Sequence, residues 1–258
     1  MILAQSSLNS VKVQVLNKFL TLVLGVIIWE SAAAIVNSKS FPHITEVLFD
    51  LVELLKTFEF WKSLIVTFNL TLIGFAIGAL FAFMLGLATA LNKKLDLLFS
   101  SSINFLRSVP SVVFLPLLVA SIGASARTAI ILTAFVVSLK LVIFVSRGVL
   151  ETEKEHIEFA KLYHLSSFST ICNVYIPSLF SVVSTGFRLS ASRAFGTVIA
   201  SGIIIGTPGL GRDLLFAESN AEYERVFSYV IVLGIVGTLI YSTFNVIESK
   251  FIHWRVNV

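Results

Sequence analysis

RGVLETEKEHIEFAKLYHLSSFSTICNVYIP, residues 147–177, is a polar island in an otherwise apolar chain. Charges are dense within it and long uncharged runs lie on both sides, so it must sit outside the lipid between two membrane spans. A membrane protein that displays such a segment offers it to a partner. Thr152 followed three residues later by Glu155 predicts a capping box, and Ile157, Ala160, Leu162 and Leu165 give the helix that follows an apolar side. A second short helix is expected from Ser166 or Ser167, with Phe168 and Ile171 on its inner face and Pro177 closing it. The two helices should meet at a bend near His164.

The composition around the island explains why it stands out. Of 258 residues, 56% are hydrophobic and only 13% charged, and several stretches are long enough to cross a bilayer. This predicts an all-α, polytopic membrane protein rather than a soluble domain. The single cysteine, Cys172, excludes an intrachain disulfide and any cysteine-based metal site. A formal charge of +4, dispersed along the chain, does not suggest nucleic acid as a partner.

N-terminal to the island, residues 1–17 form a polar, weakly basic segment, followed by an apolar run over 19–36. SAAAIV at its end has the small residues of a signal cleavage site. The run is longer than a usual signal core and carries Trp29 as an interface residue, so it is expected to be a retained first span. Glu30 is expected at the interface as an exposed or hydrogen-bonded carboxylate. An amphipathic helix over 45–60 has Leu48, Leu51, Val52, Leu55 and Phe58 on one side and Glu46, Asp50, Glu53 and Lys56 on the other. It is too polar to span and should rest on the outer membrane surface.

The second span, over 63–92, repeats Gly74, Gly78, Ala82, Gly86 and Ala90 at every fourth position, a stripe that lets another helix approach closely. The third carries Pro110 and Pro116 within an apolar run, each of which kinks or breaks a helix, and broken helices at membrane depth line cavities. Arg107 in it is open to two readings, a snorkelling anchor or part of an inner gate. The fourth span, over 128–146, is interrupted by Lys140 alone, which is expected to snorkel to the nearby membrane face.

C-terminal to the island, the fifth span over 178–205 holds Arg188 and Arg193 among Ser184, Thr185, Ser190, Ser192 and Thr197. Five positions at about 100° each leave the two arginines roughly 140° apart, so both cannot face one narrow pore. Arg188 is the expected anchor, within reach of the interface or of a carbonyl at the foot of the third span. Arg193, near mid-membrane beside Ser190 and Thr197, either faces a translocation path and favours an anion or is tied to helix-end carbonyls or a second copy of the chain. GTPGLG, 206–211, lacks the lysine and hydroxyl of a nucleotide loop and is expected to be a turn. A sixth span over 226–247 ends in Lys250, His253, Trp254 and Arg255. Lys and Arg are more frequent in the N-terminal segment, the Lys93-Lys94 turn, the island and the tail than in the other loops. The positive-inside rule therefore places these, and both termini, in the cytoplasm.

With this order in hand, the island resembles the cytoplasmic EAA loop of membrane subunits of bacterial ABC importers. Glu158, Phe159 and Ala160 stand for Glu-Ala-Ala, His164 stands at the position of the motif glycine, and Ile176-Pro177 stand for the closing Leu-Pro. Histidine for glycine is a departure, although histidine is among the few other residue types enriched in the left-handed conformation that this bend needs. RSVPSVVFLPLLVASIG (107–123), GFRLSASRAFGTVIASGII (186–204), GTPGLG and YERVFSYVIVLGIVG (223–237) extend the resemblance to permeases of the nitrate, sulfonate and taurine branch.

The resemblance implies a multi-pass protein of the bacterial inner membrane in which residues 18–258 form a six-span domain with a coupling helix in the loop 147–177. It further implies a homodimer, cytoplasmic ABC ATPase subunits that bring ATP and Mg, and an extracytoplasmic solute-binding protein. This chain contains no nucleotide-binding motif, so no cofactor is expected in it and no catalysis by it. The residues expected at the ATPase contact are Glu158, Phe159, Ala160, Lys161, His164, Leu165 and Ser166. Those expected along the path are Arg193, Ser190, Thr197, Pro110 and Arg188. The solute is expected to be a small anion, a neutral or cationic metabolite being the alternative. A passive channel would leave the island unexplained, and the four histidines lie in loops or the tail, away from any hydrolytic constellation.

Overall fold

The computed structural model describes residues 17, 20, 21 and 23–251. The expected N-terminal segment, apart from Asn17, and the basic end of the tail lie outside the described residues. The described chain is helical with no strand, in two compact units, one containing residues up to Thr57 with Phe216–Ile231 and the other Phe58–Leu215 with residues from Val232 onward.

In the first unit, α1 (Val23–Val36) ends at Asn37, whose φ of 42° puts it in the left-handed region that asparagine tolerates. Trp29, Phe41 and Phe227 form a ring cluster with centroids 5.1–5.7 Å apart, and the Trp29 indole donates to the Pro42 carbonyl at 3.1 Å. Glu30 is hydrogen-bonded, as the sequence allows, lying 2.7 Å from His43 Nδ1 and accepting from the Ile44 amide. α2 (Ile44–Lys56) starts one residue earlier and stops four residues sooner than the sequence predicts, because the extended backbone of Thr57 breaks it and its hydroxyl caps the Leu54 carbonyl at 2.7 Å. Leu48, Val52 and Leu55 face outward from this unit, while Asp50 on the polar side holds Arg225 at 2.9 Å.

The second unit is built on α3 (Phe58–Leu91), which begins where α2 was expected to continue. At about 1.5 Å per residue it is long enough to cross a hydrocarbon layer of about 30 Å with turns to spare. It packs along α6 (Ala126–Leu150), and α6 in turn packs along α9 (Ile176–Ile205). The small-residue stripe of α3 is the seam: Gly74, Gly78, Ala82 and Gly86 are all buried, and a Cβ at Gly78 would stand 2.5 Å from the Ala134 carbonyl oxygen. Buried Thr67, Thr71 and Thr89 on α3 return their hydroxyls to the carbonyls of the preceding turn, whereas the buried Thr133 hydroxyl on the facing α6 has no hydrogen-bond partner. Leu141, Val142, Val145, Leu179 and Val183 close the core between α6 and α9.

The third expected span is two helices, α4 (Lys93–Ser108) and α5 (Phe114–Ile122), bent by 92° about Pro110. Val109 is extended, as the residue before a proline should be, and a single 3-10 turn, Ser111–Val113, leads into α5. Pro116 lies in the first turn of α5, where its missing N–H costs no helical bond, so only Pro110 breaks the chain. Among the described residues, four helices are long and apolar enough to cross a membrane, or five if the bent pair counts as one span, against the six expected. The difference lies in α1, seen over fourteen residues where about twenty are needed, and in the right-angle bend.

Residues 206–209 of GTPGLG form the expected turn, and Leu210 and Gly211 open the next helix. The turn caps α9 through Gly206, at φ 67°, and brings Gly209, at φ 126°, against Thr67, whose hydroxyl accepts the Leu210 amide at 2.9 Å. α10 (Leu210–Ser219) and α11 (Tyr223–Phe251) complete the described chain.

Candidate functional site

Two features hold the residues singled out in the sequence. The first is the polar loop, where α7 (Lys154–Leu162) and the short α8 (Ser167–Thr170) meet at His164. The predicted capping box is absent: α7 starts after Glu153, and Thr152 is buried with its hydroxyl returned to the Gly148 carbonyl at 3.2 Å, making it the end of α6 instead. His164 takes the place of the motif glycine in conformation as well as position. Its φ is 49°, and the Leu165 amide reaches back to the Ala160 carbonyl at 3.0 Å, the long closing bond of a left-handed helix stop. Ser166 then caps α8 by accepting the Ser169 amide at 3.2 Å.

Pro177 does not close the second helix. A wide turn, Ile171–Tyr175, joins α8 to α9, and Pro177 enters at the first turn of α9. The looser ring of such a turn gives the proline room beside the preceding carbonyls. Ala160 is buried, as predicted, but Leu162 and Phe168 are not inward-facing: they are 76% and 77% exposed, together with Phe159 and Tyr163. The rings of Phe159 and Tyr163 lie 4.4 Å apart, so the loop presents an aromatic outer face beside exposed Glu158 and Lys161. The spacing of these apolar residues fits an inward face equally well, and only the burial of Ala160 decides which side turns in.

The second feature surrounds the Pro110 break. A cavity of about 270 Å³ is bordered by Arg107, Ser108, Pro110, Ser111, Lys140 and Arg193, which come from α4, the break, α6 and α9. A neighbouring cavity of about 500 Å³ is bordered by Ser111, Ser192, Arg193, Gly196 and Thr197. Arg193 and Ser111 are common to both. Thr197 is buried and donates its hydroxyl to the Arg193 carbonyl at 2.8 Å.

Two residues expected on the path stand elsewhere. Ser190 is fully buried and borders neither cavity. Arg188 points the other way, to α11: Nη1 lies 2.8 Å from Glu248 Oε2, its hydrogen is directed at Asn245 Oδ1 2.6 Å away, and the guanidinium lies over the Tyr241 ring. Arg188 thus ties α9 to α11 and not to the foot of the broken span. Lys140 is the residue the sequence reading missed. It borders the cavity, and a lone lysine in an apolar helix gives no sign of the two arginines that border it too.

Because the Arg188–Glu248 contact is largely buried, Glu248→Gln should leave a buried guanidinium without its counter-charge and destabilise the purified protein by about 3 kcal/mol. Thermal unfolding in detergent measures this, and an unchanged Tm would show the pair to be incidental.

The family described as "Binding-protein-dependent transport system inner membrane component" matches residues 74–253. The chain is similar to a putative aliphatic sulfonates transport permease protein, SsuC, of Bacillus subtilis, with 23% identity over 88% of this chain and 83% of that one. It is also similar to the nitrate import permease protein NrtB of Synechocystis, with 22% identity over 69% and 64%. Among solved structures, a chain of the MetNI methionine ABC transporter superimposes with a TM-score of 0.67 at 17% identity, covering 75% of this chain and 96% of that one. A chain of an amino acid ABC transporter does so with a TM-score of 0.60 at 21% identity, covering 75% and 92%.

Proposed function

The chain belongs to the family of binding-protein-dependent transport system inner membrane components, and on that footing we propose that it is the permease subunit of an ABC importer carrying a small anionic solute inward. It works as a homodimer, receives solute from an extracytoplasmic binding protein and takes its energy from cytoplasmic ATPase subunits that bind ATP and Mg. Both termini and the polar loop face the cytoplasm, in keeping with the distribution of Lys and Arg.

The observation that carries the reading is the loop itself. An exposed aromatic face on α7 and α8, held at a fixed angle by the His164 stop, is continuous through the Ile171–Tyr175 turn with α9. When two ATPase subunits close on ATP, movement of α7 passes into α9, which carries Arg193, and into α6, whose last turn is held by the Thr152 hydroxyl on the Gly148 carbonyl. Rigid packing at the α3–α6 seam turns that movement into a change of access on one side or the other of the bundle.

The anionic character of the solute rests on Arg193, an exposed guanidinium shared by two cavities. Arg193→Gln should lower uptake at least tenfold while ATPase binding and protein level stay at wild-type values. The check is uptake of labelled solutes by cells that express the variant in place of the natural gene. Full activity of the variant, or capture of a cation by the cognate binding protein, would remove the case for an anion.

A further inference from the structure

Three cationic side chains from three different helices meet at one cavity. Arg107 comes from the last turn of α4, Lys140 from the middle of α6 and Arg193 from the middle of α9. Among the described residues no carboxylate borders the cavity, and the hydrogen bond of Arg107 goes to a neutral side chain, Asn104 Oδ1, at 3.3 Å. The remaining border is two serines, Pro110 and apolar side chains such as Phe114 and Phe135, which do nothing to screen the charges from one another. Three like charges bordering one cavity beside apolar walls repel, and an anion between them would relieve that repulsion.

We infer that Arg107, Lys140 and Arg193 form one binding site for a small oxyanion at the broken third span, with Lys140 and Arg107 setting selectivity for anionic charge. The inference rests on the importer reading above and adds to it the site and two of its residues. The Ser111 hydroxyl adds a donor, the Ser108 hydroxyl being donated to the Asn104 carbonyl at 3.0 Å, and about 270 Å³ admits an oxyanion head with a short substituent. Arg193 and Ser111 also border the neighbouring cavity of about 500 Å³, so an anion passing between the two cavities keeps one guanidinium throughout. Arg107 lies on the arm of the broken span before Pro110, whereas Lys140 and Arg193 lie on the packed helices. Binding therefore draws that arm toward α6 and α9.

The test uses the full permease–ATPase complex in nanodiscs of phosphatidylcholine, with nitrate, bicarbonate and ethanesulfonate as probes and Tm as readout. At least one probe should raise the wild-type Tm. Lys140→Met and Arg107→Gln should each raise the half-maximal concentration of that probe at least tenfold. Without anion the Lys140→Met protein should be as stable as wild type or more so, because a repulsion has been removed. That last readout separates a like-charge site from a structural lysine. If Lys140→Met lowers Tm without anion, the lysine is paired, for instance with a carboxylate of a second protomer, and the site is refuted. If no free anion acts but phosphatidylglycerol in the nanodisc does, the ligand is a lipid headgroup and the solute site is refuted. ATP-driven uptake is measured in parallel on the same variants. Wild-type uptake with Lys140→Met affinity within twofold of wild type overturns the site and leaves the importer reading standing. Absence of ATP-driven accumulation of any solute overturns that reading itself.

Discussion

Gly78→Leu is expected to abolish assembly of the protein. A Cβ at this position would stand 2.5 Å from the Ala134 carbonyl oxygen and 2.7 Å from Val137 Cβ, both on α6, whose backbone cannot retreat without opening the whole seam. An overpacked core usually loses about 1–3 kcal/mol, through side chains that shift. Here the obstacle is backbone, and the neighbouring contacts at Gly74 with Thr133 and at Gly86 with Val145 are lost with it as the helices separate. Gly25→Leu is the control, since a Cβ there meets nothing within 4 Å. The yield of monodisperse protein in detergent measures both. A Gly78→Leu protein that purifies and melts like the natural one would show that α3 and α6 do not depend on close approach.

Glu158→Lys is expected to separate ATP hydrolysis from transport. The side chain is exposed on α7 beside Phe159, so the reversal disturbs nothing inside the subunit. On a docking face, however, a charge that met its complement now meets a like charge, which costs several kcal/mol at an interface. Stimulation of ATP hydrolysis by solute-loaded binding protein should fall at least tenfold, with insertion, dimerisation and Tm unchanged. A variant complex that assembles and transports at the natural rate would move the ATPase contact away from α7.

Where the sequence was legible, a single local rule sufficed. The stripe from Gly74 to Ala90 announced a close helix pair because the spacing matches one face of a helix, and His164 could be read as a bend because few side chains accept its conformation. The break at Pro110 followed from chain stereochemistry. The readings that failed needed information from elsewhere in the fold. Thr152 and Glu155 have the spacing of a capping box, but the threonine was already committed to the last turn of α6. Leu162 and Phe168 have helical spacing that fits either face, and small Ala160 took the inward place. The cavity role of Lys140 was not legible because nothing local to α6 reveals that Arg107 and Arg193 come to the same cavity. Arg188 was separable from Arg193 by angle alone, whereas its true partner, Glu248, lies 60 positions away, close to the end of the last span.

The importer assignment is tested most directly by accumulation in sealed proteoliposomes that contain this chain and its ATPase, with the binding protein outside and ATP inside. ATP should drive a small anion inward against its concentration gradient, and removal of either the binding protein or ATP should stop it. Movement only down the gradient, at the same rate with and without ATP, would make the protein a passive channel and contradict the account.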